Sequence, residues 1–232
     1  LHMTDRLNGL LNFWALPLSS SKTFKTVNVR WRMKIEGVGG ADGMSFNISE
    51  NPGTGFTPEE GAGNGLSVAV DTYNNGAGDA GLDIKYNGAT LLHLPVPAAG
   101  GPDGAGAPAE LALGRFVDTS VEVSETGLVT FKYDTFTITA QIPDYNGITA
   151  NQYLFAARTG GANENLWIDD LVIVNTEAEG ESTVTITQQP ASQSFLINDG
   201  GSVTFTTAAT AAGPGNLTLS YQWSRDGSPI PG

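Results

Sequence analysis

Asp71, Asn75 and Asp79 leave the apolar run Leu66-Ser67-Val68-Ala69-Val70 at offsets of zero, four and eight, within a glycine-rich stretch. Carboxylate and amide oxygens at that spacing suit a hard cation such as calcium, which takes about six to eight oxygen ligands. The same residues also make a solvated Asx-rich turn, because Asn, Asp and Gly favour turns for local reasons. A further acid, Asp42 in Ala41-Asp42-Gly43, opens another apolar run about 30 residues upstream.

Residues so placed need strands to hold them. In the run 27–35, Val27, Val29, Trp31, Met33 and Ile35 alternate with Asn28, Arg30, Arg32 and Lys34, the pattern of a half-buried antiparallel strand. Shorter strands are expected at 43–48, 66–72, 82–86, 89–94, 119–124, 128–133, 135–140, 152–158 and 166–174. Turn clusters such as Tyr86-Asn87-Gly88 and Ser124-Glu125-Thr126-Gly127 separate them. No helical period is sustained, so the reading is all-β and a sandwich. Trp14, Trp31, Phe46 and Trp167 alternate with polar neighbours and are expected in the core. The Pro-, Gly- and Ala-rich stretch 95–108 is expected to be an exposed connection.

The 232 residues suffice for one sandwich and a smaller module. Net charge is −13, which argues against nucleic acid and anionic membrane as partners and fits neutral glycans. There is no cysteine, so disulfide frameworks, thiolate metal sites and thiol nucleophiles are excluded. No apolar run approaches 18 residues, so no membrane insertion is expected. Leu1-His2-Met3 reads as a remnant of an expression vector, and no signal peptide is visible.

Several segments in order carry a resemblance. They are Ala41-Asp42-Gly43-Met44-Ser45-Phe46, then Gly61-Ala62-Gly63-Asn64-Gly65, then Val68-Ala69-Val70-Asp71-Thr72-Tyr73-Asn74-Asn75, then Gly81-Leu82-Asp83-Ile84. Tyr153-Leu154-Phe155-Ala156-Ala157-Arg158-Thr159-Gly160-Gly161 follows. Over about residues 25–176 the chain resembles the concanavalin A-like lectin/glucanase superfamily, closest to the legume-type (L-type) lectins. That resemblance implies a jelly-roll β-sandwich and a calcium site built from Asp71, the Tyr73 carbonyl, Asn75 and Asp79. It implies a cis Ala41–Asp42 peptide bond and a glycan accepted by Asp42, with Asn75 serving both metal and sugar. Gly63, Asn64 and Gly65 would supply backbone N–H donors, and the loop Thr159-Gly160-Gly161-Ala162-Asn163 would contact the same sugar. Tyr73 could stack on a sugar ring or pack in the core. Family members with a paired transition metal carry a Glu where this chain has Ala69, and a His before G-[IL]-D. Here the loop is shorter and Asp79 occupies that region, so the transition-metal site is expected to be absent.

Catalysis finds little support. Related laminarinase-type glycoside hydrolases use two carboxylates on one strand face, about 5–5.5 Å apart in retaining enzymes. Asp169 and Asp170 are adjacent and point to opposite faces. Glu164 has the wrong parity with Asp169, and Asp118 and Glu122 stand in isolated contexts. His93 reads as a strand residue.

The acidic run from Asn175 to Ser182 reads as a linker. Beyond it, Gln188-Gln189-Pro190, Gly201-Ser202-Val203-Thr204-Phe205 and Tyr221-Gln222-Trp223 resemble the first half of a bacterial Ig-like domain, with Trp223 as its core tryptophan. The expected organisation is a lectin-like domain at 5–176, a linker at 177–183 and a truncated Ig-like sandwich segment at 184–232. The expected function is a non-catalytic carbohydrate-binding module of an extracellular or cell-surface bacterial protein. The alternative is a structural or adhesive module of a multidomain surface protein without a sugar site.

Overall fold

The computed structural model describes residues 1–37, 40–52, 56–75, 79–96, 107–178, 183–194, 202–213 and 218–231. The chain divides into two compact units, Leu1–Ala178 and Glu179–Gly232.

The first unit is built from β1 (His2–Thr4), β2 (Leu11–Glu36), β3 (Gly43–Ser49), β4 (Leu66–Asp71), β5 (Gly81–Tyr86), β6 (Ala89–Pro95), β7 (Val117–Val123), β8 (Leu128–Tyr133), β9 (Phe136–Gln141), β10 (Ile148–Arg158) and β11 (Asn165–Glu177). All pairings are antiparallel. The strand order is β6-β5-β4-β3-β10-β2-β7-β8-β9, with β11 also on β2 and β1 on β11. β2 is 26 residues long and serves two layers. Its first part pairs with β10, whereas Val27 to Met33 pair with β7 and β11.

The layers meet through an aromatic cluster. Trp31 of β2 lies 5.2 Å from Phe46 and 5.4 Å from Phe155, ring centre to ring centre. Phe155 also touches Trp14. The expected alternation in 27–35 is present, with Val27, Val29, Trp31, Met33 and Ile35 buried. Asn87 and Gly88 both have positive φ, the backbone of an Asn-Gly hairpin turn between β5 and β6.

β3 and β4 are buried on both faces, although Ser45, Asn47 and Ser67 are polar. Residues 56–62 cover that outer face. The Ser45 hydroxyl donates to the Pro58 carbonyl (2.5 Å), and the Asn47 amide oxygen accepts from Ala62 N–H (2.8 Å) and the Ser67 hydroxyl (2.7 Å). Ser45, Asn47 and Ser67 thus each find a partner.

Three expectations change. Trp14 is only half-buried, and Trp167 faces outward because its neighbours Leu166 and Ile168 take the inward parity of β11. The Trp167 ring is stacked by His2 (4.5 Å) and lies under the Lys34 ammonium (4.4 Å). Residues 2–4 form an edge strand, and Met3 is buried in the core. The stretch read as an exposed connection falls largely on 97–106, outside the described residues.

In the second unit β12 (Thr183–Gln188) pairs with β13 (Ala208–Ala212), and β14 (Ser224–Arg225) pairs with β15 (Ser228–Pro229). Residues 202–206 form no strand, and Trp223 is 40% exposed, with Phe205 6.4 Å away. Trp223 is therefore not a core residue here, because the short ladders among the described residues of this unit leave it largely exposed.

Phe155→Ala removes the ring on which Trp14, Trp31 and Phe46 converge. A loss of about 3–5 kcal/mol is expected, read as a lowered denaturant midpoint at unchanged slope. A loss below about 1 kcal/mol would show that the aromatic cluster does not hold the layers together.

Candidate functional site

The register of three strands builds one end of the sheet. Gly43, the first residue of β3, is paired with Asp71 on one side and Arg158 on the other. A side chain at Gly43 could not be accommodated: φ is +126°, and a Cβ would stand 2.3 Å from the Val70 carbonyl oxygen. Asp42 therefore sits between the end of β4 and the end of β10. Its N–H donates to the Arg158 carbonyl and its own carbonyl accepts from Thr72 N–H, each at 3.0 Å. The Ala41–Asp42 peptide bond is cis.

The Asp42 carboxylate is nearly buried. Burial pushes its pKa up and the Arg158 guanidinium pulls it down. Arg158 Nε lies 3.3 Å from Asp42 Oδ2, and Nη1 donates to Glu59 Oε1 at 2.6 Å. Gly160 closes over the same carboxylate, since a Cβ there would stand 2.8 Å from Oδ2. The Gly160 loop is braced by the N-terminal segment. Thr159 N–H donates to Leu10 O, the Thr159 hydroxyl to Leu7 O, and Gly9 N–H to Gly160 O. Gly161 is exposed, Ala162 is half-buried, and Asn163 donates to the Asn8 amide oxygen.

On the other side of Gly43, Asp71 is buried and one of its oxygens accepts the Tyr73 N–H at 2.8 Å. Burial, offset in part by that hydrogen bond and reinforced by Glu60, Asp79 and Asp83, pushes the Asp71 carboxyl up to about 9. Asn75 is exposed, and Asp79 N–H donates to the Asn74 side chain at 3.2 Å. Residues 76–78 lie outside the described residues. Among the described residues, no group of three or more His, Cys, Asp or Glu side chains is gathered as a metal site. Tyr73 and Asn75 would contribute oxygens of other kinds. The donor set is all hard oxygen, and the excess negative charge around Asp71 fits a divalent cation of the calcium type.

Glu164 joins these loops from beneath, and the sequence reading considered it only as a catalytic partner. It is fully buried, and its Oε1 accepts the Thr72 hydroxyl at 2.7 Å. Its Oε2 meets no partner. Burial, eased by the Thr72 hydrogen bond and reinforced by Asp42, pushes its pKa up to about 8. Glu59 and Arg158 were likewise missed as site residues. Nothing in their local spacing marks them, because only folding brings 59 and 158 beside 42.

Gly63, Asn64 and Gly65 do not join the site. Gly65 N–H donates to the Asn87 side chain at 2.9 Å, at the β5–β6 hairpin. Leu66 pairs with Ile48 while Asp71 pairs with Gly43, so this loop lies about 17 Å along the sheet from Asp42, at about 3.4 Å per residue. It turns the chain into β4 and cannot donate to a ligand at Asp42. His93, in β6, pairs through Nδ1 with Asp83 Oδ1 at 2.9 Å.

No family model matches the chain and no curated protein matches it. Solved structures do resemble it. A lectin from Bauhinia forficata in complex with GalNAc matches with a TM-score of 0.55 at 11% identity, over 76% of this chain and 86% of its own. A Lotus tetragonolobus seed lectin matches at 0.51 and 13% identity, over 76% and 86%. The exoplasmic/lumenal domain of VIP36, in a Ca2+-bound form, matches at 0.51 and 15% identity, over 77% and 79%. The fold is thus the all-β jelly-roll sandwich that these lectins share.

Glu164 gives this end a testable pH dependence. Between about pH 4.5 and 8 the unfolded chain ionises at Glu164 while the folded chain keeps it neutral, so stability falls as pH rises through that window. Glu164→Gln keeps an acceptor for Thr72 and removes the ionisation. In chelator, the variant is expected to melt several degrees above the wild type at pH 8 and to lose less stability between pH 5 and 8. An unchanged slope would show that Glu164 is ionised throughout.

Proposed function

We propose that residues 1–178 form a non-catalytic carbohydrate-binding module, with the glycan held where Asp42, the 71–75 loop and the 159–163 loop converge. The observation that carries this reading is the Asp42 carboxylate. It stands at the sheet end beneath Gly160, with Oδ2 lacking a hydrogen-bond partner. Its cationic neighbour is Arg158 Nε at 3.3 Å, and a sugar hydroxyl is a donor of suitable size to supply the missing hydrogen bond. The likeness in fold to a lectin in complex with GalNAc supports a carbohydrate-binding module.

A calcium ion held by Asp71, the Tyr73 carbonyl, Asn75 and Asp79 fits this reading. It would supply the positive charge that the Asp71 carboxyl lacks and fix the loop that carries Asn75. Asp42 accepts from the ligand, Asn75 borders both ion and ligand, and Gly160 sets the depth of the Asp42 pocket. The loop 161–163 offers further contacts from the exposed side. The pairing of a lectin-like unit with a small β-rich second unit fits an extracellular or cell-surface bacterial protein.

The test is binding of the full chain to a panel of neutral and acidic polysaccharides, in calcium and again in excess chelator. Binding in calcium that falls at least tenfold in chelator is expected. Asp42→Ala should abolish it with a Tm change of only a few degrees, and Asp71→Ala should weaken both calcium and glycan binding. Undiminished affinity in Asp42→Ala would overturn the assignment. Absence of binding in either condition would favour a structural module with the same fold.

A further inference from the structure

The Asp42 carboxylate does not stand alone, and its neighbours come from two further segments. Glu59 lies on the segment that covers β3, anchored by the Ser45 hydroxyl on the Pro58 carbonyl and by the turn from Thr57 to Gly61. Arg158 ends β10, opposite Gly43. Its guanidinium touches Glu59 through Nη1 at 2.6 Å and approaches Asp42 through Nε at 3.3 Å. A guanidinium has five N–H groups, and among the described residues the remaining ones make no hydrogen bond or ion pair. The side chain is 37% exposed. Asp42 and Glu59 are only 7% and 4% exposed, yet Glu59 Oε2 has no hydrogen-bond partner and Asp42 Oδ2 has only the ion pair with Arg158 Nε, without a hydrogen bond. Buried polar atoms are rarely left so.

We infer that Glu59 and Arg158 complete the glycan site at Asp42 and select a neutral sugar bearing two adjacent free hydroxyls. This deepens the carbohydrate-binding reading and rests on it. The order carboxylate, guanidinium, carboxylate presents acceptor, donor, acceptor. A vicinal diol matches it, because each hydroxyl donates to one carboxylate and accepts from the guanidinium between them. Charge decides against acidic sugars. Two carboxylates face one guanidinium, so the cluster keeps an excess negative charge, and a uronate or sulfated ring would meet like charge in a partly desolvated site. Arg158 also reaches both carboxylates through two nitrogens of one planar fork, which a lysine cannot reproduce.

The test uses the full chain in calcium with two neutral polysaccharides, galactomannan and laminarin, and two acidic ones, alginate and polygalacturonate. The wild type is expected to bind a neutral polymer and neither acidic one. Arg158→Lys keeps the charge and should lose at least tenfold in affinity. Glu59→Gln keeps the size, should also lose at least tenfold for the neutral polymer, and should gain measurable binding of an acidic one. Melting temperatures should stay within a few degrees of wild type. Preference of the wild type for the acidic polymers would overturn the inference without any variant. Wild-type affinity in Glu59→Gln and Arg158→Lys, alongside lost binding in Asp42→Ala, would overturn it while leaving the carbohydrate-binding reading intact. Failure of the wild type to bind any of the four would remove both.

Discussion

The close packing of β3 between β4 and β10 at Gly43 governs the whole functional end. Antiparallel register is a discrete quantity, and a slip of one residue turns every side chain to the other face. With Gly43 opposite both Asp71 and Arg158, the residues just beyond the strand ends are forced together. Asp42, Thr72 and Gly160 belong to segments far apart in sequence, yet they share one small volume because three ladders end at the same level. A Cβ at Gly43 would drive β4 away from β3 and separate Asp42 from the loop that carries Tyr73 and Asn75.

That convergence concentrates negative charge. Asp42, Glu59, Asp71, Asp83 and Glu164 are all buried. Arg158 serves Asp42 and Glu59, while Lys85 and His93 serve Asp83. Among the described residues no cation pairs with Asp71 or Glu164, and these two carboxyls carry the large upward pKa shifts. The two sites differ in what can relieve them. Asp71 opens towards a loop of oxygen donors and can be met by an ion. Glu164 is sealed beneath the sheet end, so its relief is to stay protonated and hold Thr72 as a neutral acid.

Most of the architecture was legible because it rests on local period. The alternation of 27–35, the Asn87–Gly88 turn and the strand positions each follow from a few neighbouring residues. Asp42 and Asp71 were legible because their motifs are contiguous. Glu59 and Arg158 were not, since their meaning arises only from long-range register. The Gly63–Gly65 loop shows the opposite error. Its glycines are real turn residues, but the turn they make serves the entry to β4 and the contact with Asn87, at the wrong end of the sheet. Outward-facing Trp167 has a similar cause. Alternation assigns two faces, and only the pairing of β11 with β2 decides which face is the core.

The covering segment 56–62 explains how a widely shared sandwich can carry a site of its own. On the outer face of β3 and β4 the side chains are short and polar, and the segment lies against them through hydrogen bonds to Ser45 and Asn47. Those bonds fix where Pro58 sits, and therefore where Glu59 points. The ladders that define the fold are backbone interactions and tolerate very different side chains, which is why the likeness to lectins persists at 11–15% identity. The side chains of the covering segment are under no such constraint. The position of the candidate site is thus set by strand register, whereas Glu59 is brought to it by a loop that packs on the sheet without belonging to it.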